Sequence, residues 1–204
     1  GQPLATVRVK LQRSGQAKDV IDALLQQANL AAFRLLLPDR PADRQILLVP
    51  KSDIERLQTM LGNSGTWVIT IRSAANVLRG EGRVVGFPDL RPNRPVVRQG
   101  EVLARTALEG DERSSEEIRS RLNLLLAAAF ARAQRQGTLV DGLQVDGNNF
   151  TELGRALADR PARQKATLEA VAVRNADTPD PIAVELRWVG RSQTAGPRPT
   201  PAGP

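Results

Sequence analysis

Residues 114–137 read SSEEIRSRLNLLLAAAFARAQRQG. Ile118, Leu122, Leu125 and Ala129 fall at i, i+4, i+7 and i+11, which is one face of an α-helix. Leu124, Leu126 and Phe130 are read as widening that face. Ser114 and Glu117 have capping-box spacing at its start, and Gly137 is a usual helix stop. A helix with one apolar stripe needs a surface to cover. The fold is therefore decided by what flanks this stretch.

On its N-terminal side, Val102–Leu108 (VLARTAL) reads as a strand. On its C-terminal side come a short strand, Gly142–Val145, and a short helix, Phe150–Leu157. Ala166–Arg174 and Ile182–Val189 then form a hairpin across Asn175–Pro181. The same succession stands earlier in the chain. Ala5–Gln12 alternates as a strand and turns at Ser14-Gly15. A helix over Ala17–Leu36 ends at Pro38. The strand Gln45–Val49 leads to a helix over Asp53–Leu61, with Ser52 and Glu55 at capping-box spacing. After the turn Gly62–Gly65, strands Thr66–Ala74 and Arg83–Phe87 pair around a loop at Gly80–Gly82.

The two series agree in register. Ile21, Leu25, Ala28, Ala32 and Phe33 stand 97 residues before Ile118, Leu122, Leu125, Ala129 and Phe130. Leu47 and Val49 match Leu143 and Val145, and Ile54, Leu57 and Leu61 match Phe150, Leu153 and Leu157. Ile71-Arg72 is matched to Val173-Arg174. The expected fold is α+β, a tandem duplication of a β-α-β-α-β-β unit. Mixed or antiparallel sheets pack against helices, and the copies are related by a pseudo-two-fold. The expected boundaries are a first repeat at 1–90, a Pro/Arg-rich joint at 91–101, a second repeat at 102–190 and a disordered tail at 191–204.

Composition narrows the chemistry. The 204 residues contain no Cys and no His. Disulfides, thiolate metal sites and Ser-His-Asp or Cys-His catalysis within this chain are thereby excluded. Aromatic residues are 3 %, so aliphatic side chains must fill the core. No apolar run approaches the roughly 18 residues of a membrane span. The start Gly1-Gln2-Pro3-Leu4 reads as a cut end, so an upstream anchor is compatible with the chain. Lys and Arg number 29 against 22 Asp and Glu, a net charge of +7, and nearly all the cations are Arg. No Gly-rich phosphate loop of Walker or Rossmann type is present.

Three constellations are candidates for function. Arg91, Arg94 and Arg98 in the joint, with Arg79 and Arg83 before it, are candidate contacts for a protein partner or a nucleic-acid backbone. Base-stacking aromatics are scarce, because Trp67, Trp188, Phe33, Phe87, Phe130 and Phe150 all fit core positions. Ser73 and Asn76 close a strand among small residues and mark a candidate loop or pocket. Asp141 and Asp146, with the acidic loop Glu109, Asp111 and Glu112, are weak candidates for a nuclease metal site. Asp-Gly twice in VDGLQVDG is equally a turn signal, and the matching positions Gln45 and Pro50 are not acidic.

Ile71–Glu81 (IRSAANVLRGE), Val96–Arg105 (VVRQGEVLAR) and Ile118–Arg132 (IRSRLNLLLAAAFAR), in that order, resemble the bacterial domain-of-unknown-function family 3084. The resemblance covers about residues 3–190. It implies a C-terminal globular domain carried by a membrane-anchored coiled-coil protein. No catalytic or binding residue is carried over from it. The expectation is a non-enzymatic interaction or scaffold head with an unidentified protein partner. It would need no cofactor, would dimerise through an upstream coiled coil, and would lie in the cytoplasm or on the cytoplasmic face of a membrane. DNA binding and a metal-dependent nuclease are the alternatives.

Overall fold

In a computed structural model of the chain, residues 2–11, 16–61, 65–76 and 78–189 are described. The turns expected at Ser14-Gly15 and Gly62–Ser64, and the tail beyond Val189, lie outside them. The chain divides into two units. The first is Gly1–Pro95 with Asp177–Pro179, and the second is Val96–Ala176 with Asp180–Pro204.

In the first unit, β1 (Pro3–Leu11) leads to the long helix α1 (Gln16–Leu36). Then come β2 (Leu47–Leu48), α2 (Lys51–Met60), β3 (Gly65–Ser73) and β4 (Val84–Pro92). The four strands form one sheet in the order β1-β3-β4-β2. β3 is antiparallel to both neighbours, and β2 runs parallel to β4. Ile21, Leu24, Ala28, Ala32 and Leu36 of α1 are buried with Ile69, Ile71, Val84 and Leu57. Residues 177–179 are held at the end of β4. Thr178 N donates to Arg94 O at 3.0 Å, and Asn93 Nδ2 donates to Asp177 Oδ2 at 2.9 Å.

β5 (Pro95–Val97) and β9 (Ala176–Asp177) pair with each other as a small separate sheet. The second unit holds β6 (Val102–Leu108), α3 (Ser115–Gln136), β7 (Leu143–Val145), α4 (Gly147–Ala158), β8 (Ala166–Ala172) and β10 (Ile182–Val189). Its sheet order is β6-β8-β10-β7, with β7 parallel to β10 and the other pairs antiparallel. The architecture is α+β, and each unit has its own four-stranded mixed sheet. Ser114 accepts a hydrogen bond from Glu117 N, and the Glu117 carboxylate accepts from Ser114 N, completing the expected capping box. Gly137 closes α3 at φ 100°, the left-handed region where glycine costs least.

The sheet registers align the two units strand by strand. Leu47 opposes Val84 as Leu143 opposes Ile182, and Ser73 opposes Gly86 as Ala172 opposes Val184. Ser73 N donates to Gln2 O at 2.9 Å, and Ala172 N donates to Glu101 O at the same distance. Position 73 therefore corresponds to 172, and Ile71 to Ala170. The match of Ile71 to Val173 expected from sequence is three residues out of register. Val173 lies beyond the end of β8 and is exposed.

Other boundaries differ for local reasons. Pro50, not Ser52, caps α2, at φ −55° and with no side-chain cap bond. β4 runs on through Pro88 to Pro92 instead of ending at Phe87. Its pairing with β2 is confined to Val84 and Val85, so beyond them that side of β4 needs no N–H donor and tolerates proline. The residues expected as a joint, 91–101, are thus the end of β4, β5 and the turn into β6. Leu124 does not widen the buried face. It sits about 200° around the helix from Leu122 and is 60 % exposed.

Ile118, Leu122, Leu125, Ala129 and Ala133 form the buried stripe of α3, packed with Leu168, Ala170, Val184 and Leu186. Leu122→Ala is expected to cost about 2–5 kcal/mol in urea unfolding, while Leu124→Ala stays within about 0.5 kcal/mol.

A candidate interaction groove

Ser73 and Asp146, singled out in the sequence, have structural duties. Ser73 is buried in β3, and its hydroxyl accepts from Gln2 N at 3.0 Å. Asn76 is exposed in the loop after β3. Asp146 is the N-cap of α4, with its carboxylate accepting from Asn148 N at 2.8 Å, and Asp141 is exposed in the turn before β7. Among the described residues no group of three or more acids could hold a metal ion.

The five arginines are not brought to one place. Arg79 and Arg83 are exposed before β4, and Arg91 lies near its far end. Eight residue steps along the strand from Arg83 to Arg91 put them about 26 Å apart. Arg91 Nε is 3.1 Å from Asp89 Oδ2. Arg94 is exposed in the first unit, and Arg98 is exposed in the second.

The acidic loop serves a pair of arginines that sequence reasoning did not single out. Arg160 is 2 % exposed. Its guanidinium donates to the carbonyls of Leu157 and Glu109 at 2.6 Å, of Gln164 at 3.0 Å, and of Glu112. Arg113 donates to the carbonyls of Ala158, Arg160 and Pro161 at 3.1, 2.6 and 3.0 Å. Together they satisfy the unpaired carbonyls at the end of α4. Burial lowers the Arg160 pKa, and the neighbouring Arg113 charge lowers it further. Glu112 is held below the usual carboxylate range by Arg121, and Glu117 by the Ser114 hydroxyl. Gly110 approaches so closely that a Cβ there would lie 2.5 Å from the Arg163 carbonyl. Arg160→Met strips several buried carbonyls of their donor, and urea unfolding is expected to show a loss of about 3 kcal/mol or more.

A groove lies among the described residues of the second unit. The cleft between α3 and α4 forms a groove of about 270 Å³. From α3 it takes Ser115, Ile118, Arg119 and Leu122, spaced i, i+3, i+4 and i+7. From α4 it takes Phe150, Gly154 and Ala158 on one stripe, with Thr151 and Arg155 beside it. Ile118 and Leu122 make a buried floor, Phe150 is half-buried, and Arg119 and Arg155 are exposed. Gly154 lies inside a helix, where glycine costs about 0.5–1 kcal/mol relative to alanine. No packing demands it, since a Cβ there would meet nothing within 4 Å.

The first unit has a cleft of about 260 Å³ lined by Leu25, Gln45, Leu47, Val49, Lys51 and Ile54. Leu25 and Ile54 stand where Leu122 and Phe150 stand in the second. Sequence reading had placed Ile118, Leu122 and Phe150 in the core. The mid-helix glycine was the available signal for a groove. Gly154→Ala is expected to stabilise the protein by about 0.5–1 kcal/mol in urea unfolding, because the helix gains propensity and nothing clashes.

Residues 97–195 match the family model described as the DUF3084-associated C-terminal helical hairpin. In this chain those residues contain α3 and α4 together with strands β6–β10. An uncharacterized protein of Nostoc sp. (strain PCC 7120) is 33 % identical over 190 residues. That alignment covers 91 % of this chain and 37 % of the Nostoc protein. No solved structure matches. Among the described residues, no helix is long and apolar enough to cross a membrane. With its second unit matched by the family's C-terminal model and nearly its whole length aligned to the Nostoc relative, the chain carries a DUF3084 family domain.

Proposed function

We propose that the domain is a non-enzymatic protein-interaction head and that the α3–α4 groove is its contact surface. The apolar groove at Gly154, with Phe150 half-buried along it, supports this reading. A glycine that helix stability disfavours and packing does not require fits a surface kept clear for a partner. The longer Nostoc relative fits a head carried by a larger protein. The family resemblance supports a membrane-anchored, dimeric coiled coil as the carrier, with the head on the cytoplasmic side. The shared order of elements and sheet registers supports a tandem duplication as the origin of the two units.

A nucleic-acid reading draws on a different face. Arg8 and Lys10 of β1, Arg72 of β3 and Arg91 of β4 share one side of the first sheet. Asp89 lies 3.7 Å from Arg72 and 3.1 Å from Arg91, and Asp177 lies 3.5 Å from Arg8, which weakens that face as a phosphate track.

The test is affinity capture from the source cell with the full-length protein. Gly154→Phe is expected to lose a captured protein at least tenfold, while the exposed control Asn123→Phe retains it. Equal capture by both variants sinks the groove as the contact surface. Strongly salt-sensitive binding of duplex DNA would favour the alternative reading.

A further inference from the structure

We infer that the α3–α4 groove takes an acidic amphipathic helix of a partner protein. This rests on the groove being the interaction surface, and it deepens that reading by naming the partner's chemistry. The floor is aliphatic and aromatic, from Ile118, Leu122 and Phe150. Phe150, Gly154 and Ala158 run along it for eight residues, or about 12 Å. That length suits two to three turns of a third helix laid beside α3 and α4. Gly154 and Ala158 are small, so an incoming apolar side chain can lie against half-buried Phe150, with Ile118 and Leu122 already buried beneath it.

The rim supplies the charge. Arg119 and Arg155 flank the floor, and no acidic residue lines the groove. Neither arginine is in an ion pair or side-chain hydrogen bond among the described residues. Elsewhere in the same unit, Arg105 pairs with Glu169, Arg121 with Glu112, Arg132 with Glu101 and Arg187 with Glu185. The counter-charge missing from the groove is thus left for its occupant. A helix with apolar residues at i, i+4 and i+8 flanked by Asp or Glu satisfies both floor and rim. The cleft of the first unit differs, because its cation Lys51 already has Glu55 at 3.6 Å.

Two synthetic labelled peptides of about 16 residues test this by fluorescence anisotropy with the full chain. Both carry Leu at i, i+4 and i+8, and the flanks are Glu in one and Lys in the other. The Glu peptide is expected to bind at least tenfold more tightly, with affinity falling as salt rises. Arg119→Glu with Arg155→Glu should reverse the preference, and Gly154→Phe should abolish binding of both peptides. The charge-swap residues are exposed, so that variant keeps the test valid even where Gly154→Phe perturbs α4.

Equal affinity for the two peptides, or a preference unchanged in the double variant, overturns the inference. So does a dimer seen by sedimentation that disappears in the double variant, since the occupant is then a second copy. Groove-dependent capture of a protein without peptide discrimination removes the acidic helix and leaves the interaction head standing. Capture indifferent to Gly154→Phe removes both.

Discussion

The burial of one helix stripe against one sheet face is the interaction on which each unit depends. In the second unit Ile118, Leu122, Leu125, Ala129 and Ala133 meet Leu168, Ala170, Val184 and Leu186. In the first, Ile21, Leu24, Ala28, Ala32 and Leu36 meet Ile69, Ile71 and Val84. The strands before and after each long helix lie at opposite edges of the sheet. The long helix, 21 residues in the first unit and 22 in the second, therefore links the two edges of its sheet. The short second helix then covers what the long one leaves open. A cleft between the two helices arises where their stripes diverge.

Polar chemistry in this protein is directed largely inward. Arg160 and Arg113 would read in a sequence as two more surface cations. In the fold they bind carbonyls at the end of α4, and Arg160 is buried. Guanidinium suits this duty because its planar fork reaches several acceptors and stays charged when partly desolvated. Asn29 and Asn149 do comparable work with amides. Asn29 accepts from Ile46 N and Leu47 N at 2.9 and 3.0 Å. Asn149 exchanges two hydrogen bonds with the backbone of Leu186, just past the last residue that β7 pairs. Asn149 stands in for β7 where that strand has ended, and Asn29 holds the chain as it enters β2.

Against that background the groove differs in kind. Its floor is apolar, its rim cations are in no ion pair among the described residues, and its helix carries a glycine that nothing in the packing requires. The arginines of Arg91–Arg98 form a linear cluster in the sequence. In the fold Arg91 lies near the end of β4, Arg94 and Arg98 flank β5, and Arg79 and Arg83 lie before the other end of β4. Proximity in sequence is lost wherever a strand runs between residues, because each strand residue adds about 3.3 Å.

The sequence by itself determined the types and order of the main helices and strands, though not β5 and β9, which it reads as joint and loop. Helical and strand periodicities are local, and the capping box at Ser114 and the stop at Gly137 are complete within a few residues. The matched spacing from Ile21 to Ile118 also exposed the common plan of the two halves before any strand was paired. Only the tertiary structure decided register, edges and exposure. Ser73 answers to Ala172 because of which residues pair across strands far apart in the chain. β4 passes through Pro88 because its outer side lacks a partner there. Leu124 faces solvent although its neighbours are buried. The groove likewise exists only once α3 and α4 are placed side by side. Gly154 and Arg119 are 35 residues apart in sequence and line one surface. Pairing and packing set these features, and they depend on partners that no local pattern records.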